Sequence, residues 1–464
     1  METIKLQDIV AAVKGEIISG EVGSKVISSV ATDSRVNMVQ GLFVAIKGEN
    51  TDGHKYIDGA VQNGAVAVLI SDEPEQYIKD IVYIKVKNTI KGLQYLAMWY
   101  RTQFDIPVVA ITGSVGKTTT KDMISSVLNT KFKVLKTEGN FNSEIGAPLT
   151  VLRLNKNHEV AVIEMGMDHL RQIADISKVV KPDTAVITNI GVAHLEYLKT
   201  RENILKAKCE VFENLAQDGI GILNADDDML SKVDNGFKKI WFGKGDNADI
   251  QAKNITVDYT EGIVKADLFV NDFKHDLIIP GLSEHLVYSA MSAIAVGLRY
   301  DLTIEEVLRG VANYAHTKMR MDIYKLKDNI LVIDDTYNAN PDSMKSLIDT
   351  VKKSDSKNKI LILGDMFELG ENSIKLHEEI LYYAIKAGIT RIVVTGENMK
   401  EAATNINNDI IEVFDTKEEL INNIENRISA DSIVAIKASR GMKFENITEK
   451  ILEIYDALWY NKSK

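Results

Sequence analysis

Short apolar runs rich in β-branched residues alternate with stretches of helical period along most of the chain, the pattern of parallel strands covered by helices. In the middle of the chain the runs at 107–112, 159–164, 184–190 and 219–223 are predicted strands, most followed by a helix-like segment. The last third repeats the pattern at 329–334, 359–363, 390–395 and 432–437. Between 249 and 280 the period changes to strict alternation without helices, which predicts a short antiparallel meander. Residues 1–100 read as a smaller unit, with strands near 42–46 and 66–70 and a helix near 89–103. The expectation is an α/β protein of three domains, 1–105, 106–316 and 317–464. Helical stripes such as Leu376, Ile380, Tyr383 and Ala384 read as core packing. The run Asp226–Asp227–Asp228 follows a strand and is expected to open a helix, where carboxylates complement the dipole.

The charge balance narrows the function. Fifty-five Lys and Arg stand against 66 Asp and Glu, a net charge of -11 with no long basic run. A sequence-independent grip on a nucleic-acid backbone is therefore not expected, although a small anion can be held locally. The single cysteine, Cys209, excludes an intrachain disulfide and a cysteine-built zinc site, and it fits a reducing compartment. No apolar stretch approaches the roughly 18 residues of a membrane span. Glu2 and Asp8 stand where a secretory signal carries basic residues. The expected location is cytoplasmic, without membrane insertion, and the expected state is a monomer.

The most specific signal is PVVAITGSVGKTTTK at 107–121: a strand, a glycine loop, then a helical stretch. Unhindered backbone N–H groups and a helix N-terminus then point at one anion, as a phosphate loop requires. Gly113, Ser114, Val115, Gly116, Lys117, Thr118 and Thr119 are the candidate nucleotide-binding residues. Lys117 is placed to reach the β and γ phosphates, and the Thr118 hydroxyl to ligate Mg2+. Ile111 stands where the ordinary Walker spacing has its first glycine, so the loop is a shorter variant.

The chain resembles the ATP-dependent Mur ligase family over essentially its whole length. In the first hundred residues Thr32–Asp33–Ser34–Arg35, Gly41–Ala45, Lys47–Gly48 and Asp52–Gly53–His54 are similar to the family's uridine-nucleotide-binding unit. The middle adds the phosphate loop, Thr137–Gly146, Glu164–Gly166, Asn189–His194 and Ala207–Glu210. The last third adds Asp334–Pro341, Leu363–Gly370 and Lys437–Lys443. Val115, Ser143 and Ser289 depart from the family, which often has asparagine at these positions.

The resemblance implies a central P-loop ATPase-like parallel sheet with a small antiparallel extension, a Rossmann-like C-terminal domain, and a smaller α/β N-terminal domain. It also implies an ATP-dependent ligase that joins D-alanyl-D-alanine to a UDP-N-acetylmuramoyl tripeptide through an acyl phosphate. The last-third motifs resemble this subfamily more than its sisters. A sister ligase adding a single amino acid, or a folate polyglutamylating enzyme, is the alternative, and folate enzymes lack the uridine unit. A non-catalytic nucleotide-binding protein is the rival from another class.

Several roles follow from the resemblance. Thr118, Glu164, His194 and a carbamylated Lys208 would ligate two Mg2+ ions, which offset the repulsion among the converging anions. Carbamylation requires a neutral amine. Asn189, Asp335 and Asn338 belong to the implied nucleotide site, and Tyr337 either stacks on the base or packs. Arg320 would stabilise charge on the γ-phosphate. Ser34, Arg35 and Lys47 would meet the uridine diphosphate, Asn140 and Asn142 the muramoyl peptide, and Arg440 and Lys443 the carboxylate of the dipeptide. Taken alone, a strand-end glutamate, a loop histidine and a helix lysine are each more often unremarkable surface groups.

Overall fold

The structure is a computed structural model that describes residues 1–48, 51–192, 195–234 and 236–455. Two compact units share the chain. One comprises Met1–Thr112, Phe132–Val186 and Cys209–Gly221, and the other Gly113–Lys131, Ile187–Lys208 and Ile222–Lys464.

The N-terminal sheet runs Glu16–Ser19, Val82–Lys85, Ala65–Ile70, Gly41–Val44 and Ser29–Ala31. The first pair is antiparallel and the rest parallel. The strands near 42–46 and 66–70 lie where the apolar runs placed them, and the helix Thr89–Arg101 follows, capped by the Asn88 side chain accepting from Lys91 N.

The nine-stranded sheet has the order Phe273–Pro280, Ile263–Val270, Ile250–Asp258, Lys238–Gly243, Ile220–Asn224, Thr184–Ile187, Val108–Thr112, Val160–Glu164 and Val134–Lys136. Val108–Thr112 and Val160–Glu164 are parallel and buried along their whole length, as continuous apolar runs require. The alternating segment is the expected meander, two antiparallel hairpins from Ile250 to Pro280. The C-terminal sheet runs Asp322–Leu326, Ile330–Asp334, Ser432–Lys437, Asn358–Leu363, Arg391–Val394 and Ile411–Val413. Only its first pair is antiparallel. The loops after Asp334, Leu363 and Lys437 therefore leave one edge of a parallel sheet, where α/β ligand sites lie.

Two local expectations need correction. The strand expected to reach 190 ends at Ile187, because the polar groups of Thr188 and Asn189 turn away to the phosphate loop. The acidic run opens no α-helix; it sits in a turn before the 3-10 segment Leu230–Lys232. Each carboxylate takes at least one donor from a distant segment, and Asp227 also caps the 3-10 turn. Asp227 accepts from the backbone N–H of Ile190, Met229 and Leu230, Asp226 from Lys244 and Gly245, and Asp228 pairs with Arg201.

Candidate active site

The phosphate loop leaves Val108–Thr112 and enters the helix Lys117–Leu128. Gly113 has φ +152°, and a Cβ there would stand 1.9 Å from Thr188 Oγ1, so no other residue fits without displacement. Gly116, at φ 83°, is the left-handed residue that starts the helix. The loop is cross-braced by the turn beyond Ile187. Ser114 N donates to Asn189 O at 3.0 Å, Val115 N to Asn189 Oδ1 at 3.0 Å, and Asn189 Nδ2 returns a bond to Val115 O at 2.9 Å. Gly191 N donates to Ser114 Oγ at 2.8 Å. Lys117 Nζ lies back over the loop, donating to Gly113 O at 2.8 Å.

A cavity of about 540 Å³ opens above this loop. Val115 and Gly116 of the loop line it, together with Asn224, Phe242, His285 and Tyr288. Ser289 shares a 2.9 Å hydrogen bond with Thr120 Oγ1. Tyr288 donates to Asp226 Oδ2 at 2.9 Å; burial first, and then Asp226, pushes its phenol pKa up. Burial pushes the His285 imidazole down, so it presents a neutral ring. Asp342 completes the wall. It occupies the second position of the helix Pro341–Lys352, which Asn340 caps through a reciprocal bond with Ser343, and its Oδ2 accepts from Val192 N at 3.1 Å.

Lys208 is 2% exposed on the helix Arg201–Cys209. Burial drives its pKa well below the usual amine range, and the charge of Lys117 drives it further, both favouring the unprotonated amine. In the other unit Glu164 ends its strand, also 2% exposed. Its Oε1 accepts from Asn142 Nδ2 at 2.8 Å, and its Oε2 is buried with no hydrogen-bond partner among the described residues. A buried carboxylate oxygen left in this state is costly in a closed protein and suits a divalent cation. Among the described residues no group of three or more His, Cys, Asp or Glu is placed to hold a metal ion.

Comparison with known proteins places this geometry in a family. The chain matches the Mur ligase middle domain over residues 111–297, the Mur ligase glutamate ligase domain over 319–440, and the Mur ligase family catalytic domain over 26–100. It is 35% identical over 457 residues to the UDP-N-acetylmuramoyl-tripeptide–D-alanyl-D-alanine ligase of Bacillus subtilis (strain 168), covering 97% of this chain and 98% of that one. The chain belongs to the Mur ligase family. A crystal structure of MurF from Acinetobacter baumannii superposes with a TM-score of 0.90 at 28% identity, covering 98% of this chain and 99% of that one. MurF ligase from Thermotoga maritima in complex with ADP gives 0.82 at 29% identity, covering 92% and 98%. This Mur ligase is an ATP-dependent enzyme.

The remaining candidates of the ligase fall into separate settings. His194 lies outside the described residues. Arg320 stacks on Tyr337, its guanidinium carbon 4.0 Å from the ring centroid, and Arg440 approaches the same ring at 6.0 Å. Tyr337 is thus packed against Arg320, with Arg440 nearby. Asp335 is ion-paired with the buried Lys437, Asn338 is exposed, and Arg440 donates to Glu445 at 2.8 Å while Lys443 is exposed. Asn142 serves Glu164, as described, and Asn140 is exposed. In the N-terminal sheet region Arg35 grips Asp33 with both ends of its fork, and Lys47 stands 3.8 Å from Asp72. Ser34 contributes a carbonyl to Asn63 Nδ2 at 2.8 Å.

Sequence reasoning missed Asn224, Phe242, His285, Tyr288 and Asp342 as cavity residues. Two of the five had a signal: Asn224 ends a strand at the ligand edge, and Asp342 directly follows Asn340–Pro341.

Proposed function

We propose that this ligase condenses UDP-N-acetylmuramoyl tripeptide with D-alanyl-D-alanine, with ATP converted to ADP and phosphate, in the making of a peptidoglycan precursor. The observation that carries the reading is the braced anion loop lining a nucleotide-sized cavity, with the buried Lys208 close enough to Lys117 for its pKa to be lowered by that charge. End-to-end likeness to ligases of this specificity supports the substrates. The division into 1–105 for the uridine substrate, 106–316 for ATP and 317–464 for the incoming dipeptide is part of the proposal.

The residues then act as follows. The backbone N–H groups of the loop, Lys117 and the helix start hold the triphosphate. His285 and Phe242 offer the base ring surfaces within a lining that also carries polar and charged groups. Lys208 is the amine available to CO2, and its burial favours the unprotonated form that this reaction needs. Thr118, Glu164, His194 and carbamylated Lys208 are the proposed ligands of two Mg2+ ions, which when bound supply neutralisation of the phosphate and carboxylate charges. The orphaned Oε2 of Glu164 fits that role. Arg320 offers a guanidinium to the transferring phosphoryl group. Ser34, Arg35 and Lys47 meet the uridine diphosphate, and Arg440 with Lys443 the dipeptide carboxylate.

The test is phosphate release from ATP with UDP-muramoyl tripeptide present, with D-alanyl-D-alanine, D-alanine, L-lysine or glutamate as the amine. Release with the dipeptide alone is expected. Release with a single amino acid instead transfers the chain to a sister specificity, and none with any amine ends the enzymatic reading.

A further inference from the structure

Residues 313–321 join the helix Ile304–Ala312 to the strand Asp322–Leu326, and they carry Arg320. The end of that helix and the connector are both fastened along the phosphate-loop helix. Ser126 Oγ of that helix donates to Gly310 O at 2.7 Å, and a Cβ at Gly310 would come within 2.5 Å of Val127 Cα, so the two backbones touch. Further along, the Thr119 side chain hydrogen-bonds Tyr314, and the Thr317 hydroxyl donates to Asp122 Oδ2. Thr119 and Asp122 stand three apart on one helix face, and Tyr314 and Thr317 three apart in the connector, so the two pairs form rungs of one ladder. Asp122 is itself buried and braced by Lys121 Nζ at 3.2 Å.

Beyond the ladder the chain turns sharply around the arginine. Met319 and Met321 on either side of Arg320 have φ +62° and +56°, a conformation uncommon for residues with a side chain. The turn is held by Arg320 N donating to Thr317 O at 3.1 Å, Met319 N to Asp322 Oδ2 at 2.9 Å, and Tyr337 N to Met319 O at 3.1 Å. The Arg320 Nε is buried with no hydrogen-bond partner among the described residues, a donor left for something else.

We propose that Asp122 and Thr317 are positioning residues for phosphoryl transfer: their hydrogen bond registers the connector on the phosphate-loop helix and so sets Arg320 against the phosphates that the same helix binds. The inference rests on the reading of Arg320 as the γ-phosphate residue. An arginine at the end of a connector stabilises a transition state only when its backbone is fixed, and misplacement by about 1 Å costs on the order of 100-fold in rate. A carboxylate acceptor makes the tie stronger than a neutral one.

The experiment compares steady-state kinetics of the full-length Thr317→Val, Thr317→Ser, Arg320→Ala and Thr317→Val/Arg320→Ala proteins. Thr317→Val is expected to lower kcat about tenfold or more while KM for ATP and for the uridine substrate moves less than about threefold. Serine, which keeps the hydroxyl, restores kcat to within about twofold. The double variant is no slower than Arg320→Ala alone, because the two act as one unit. Should Thr317→Val unfold at the assay temperature, Thr317→Ala takes its place. Equal loss in valine and serine, or losses that multiply in the double variant, would overturn the proposal. Wild-type kcat in Arg320→Ala removes the arginine reading and the proposal with it; a slow Arg320→Ala beside an unimpaired Thr317→Val removes only the positioning couple.

Discussion

The phosphate loop and the basic residues of the N-terminal region are both proposed to meet phosphates, and they are built in opposite ways. The loop offers backbone donors in a conformation locked by Asn189, Thr188 and Ser114, with Thr118 and Lys208 buried around it. Arg35 is 87% exposed and tied to Asp33 two residues earlier, holding that carboxyl down at about 2, and Lys47 is 65% exposed. Fixed, water-poor donors act on charge that develops in a transition state, because nothing needs to reorganise when it appears. Exposed side chains on flexible stems contribute to binding in the ground state and are screened by salt. The difference teaches where each kinetic constant should be sensitive: the loop governs kcat, the N-terminal arginine governs KM.

Substitutions can break that contrast or sharpen it. Lys117→Ala is expected to reduce ATP-dependent phosphate release by about a thousandfold or more, measured at saturating substrates. Lys208→Ala should lose activity to a similar extent, on the order of a thousandfold, and recover part of it with short carboxylic acids that occupy the place of a carbamate. Full activity in Lys208→Ala without such additives removes that residue from the chemistry. Gly113→Ala should lower stability by at least about 2 kcal/mol in urea unfolding, since its Cβ meets Thr188 Oγ1 at 1.9 Å in a glycine conformation. A Gly113→Ala protein as stable as wild type shows that the loop is less rigid than the contrast requires. Arg35→Ala is the mildest change: KM for the uridine substrate rises roughly tenfold with kcat within about twofold, and the increase shrinks as ionic strength rises.

The phosphate loop was legible in the sequence because its geometry is local. A glycine that needs φ +152°, a left-handed glycine and a lysine at the helix start announce themselves within a few residues. The α/β class was legible for a similar reason, since buried parallel strands are written as continuous apolar runs. The upper cavity was not, because His285, Tyr288 and Asp342 come from separate segments that only tertiary folding unites. The strands Lys238–Gly243 and Asp322–Leu326 escaped notice through their polar composition, KKIWFG and DIYKL. Asp226, Asp227 and Asp228 read as a helix start, and Asp227 does cap a single 3-10 turn through Met229 N and Leu230 N, while Asp226, Asp228 and the other Asp227 oxygen serve distant groups. The neighbours of Arg440, the Glu445 carboxylate and the Tyr337 ring, are set by tertiary folding and have no local signature.

The central claim is that phosphoryl chemistry and uridine-substrate recognition reside in differently built parts of the chain. Isothermal titration of UDP-N-acetylmuramoyl tripeptide into the Lys117→Ala protein, without ATP, tests it most directly. The account predicts a Kd within about threefold of wild type although phosphate release is abolished. A Kd weakened as severely as the rate would contradict it.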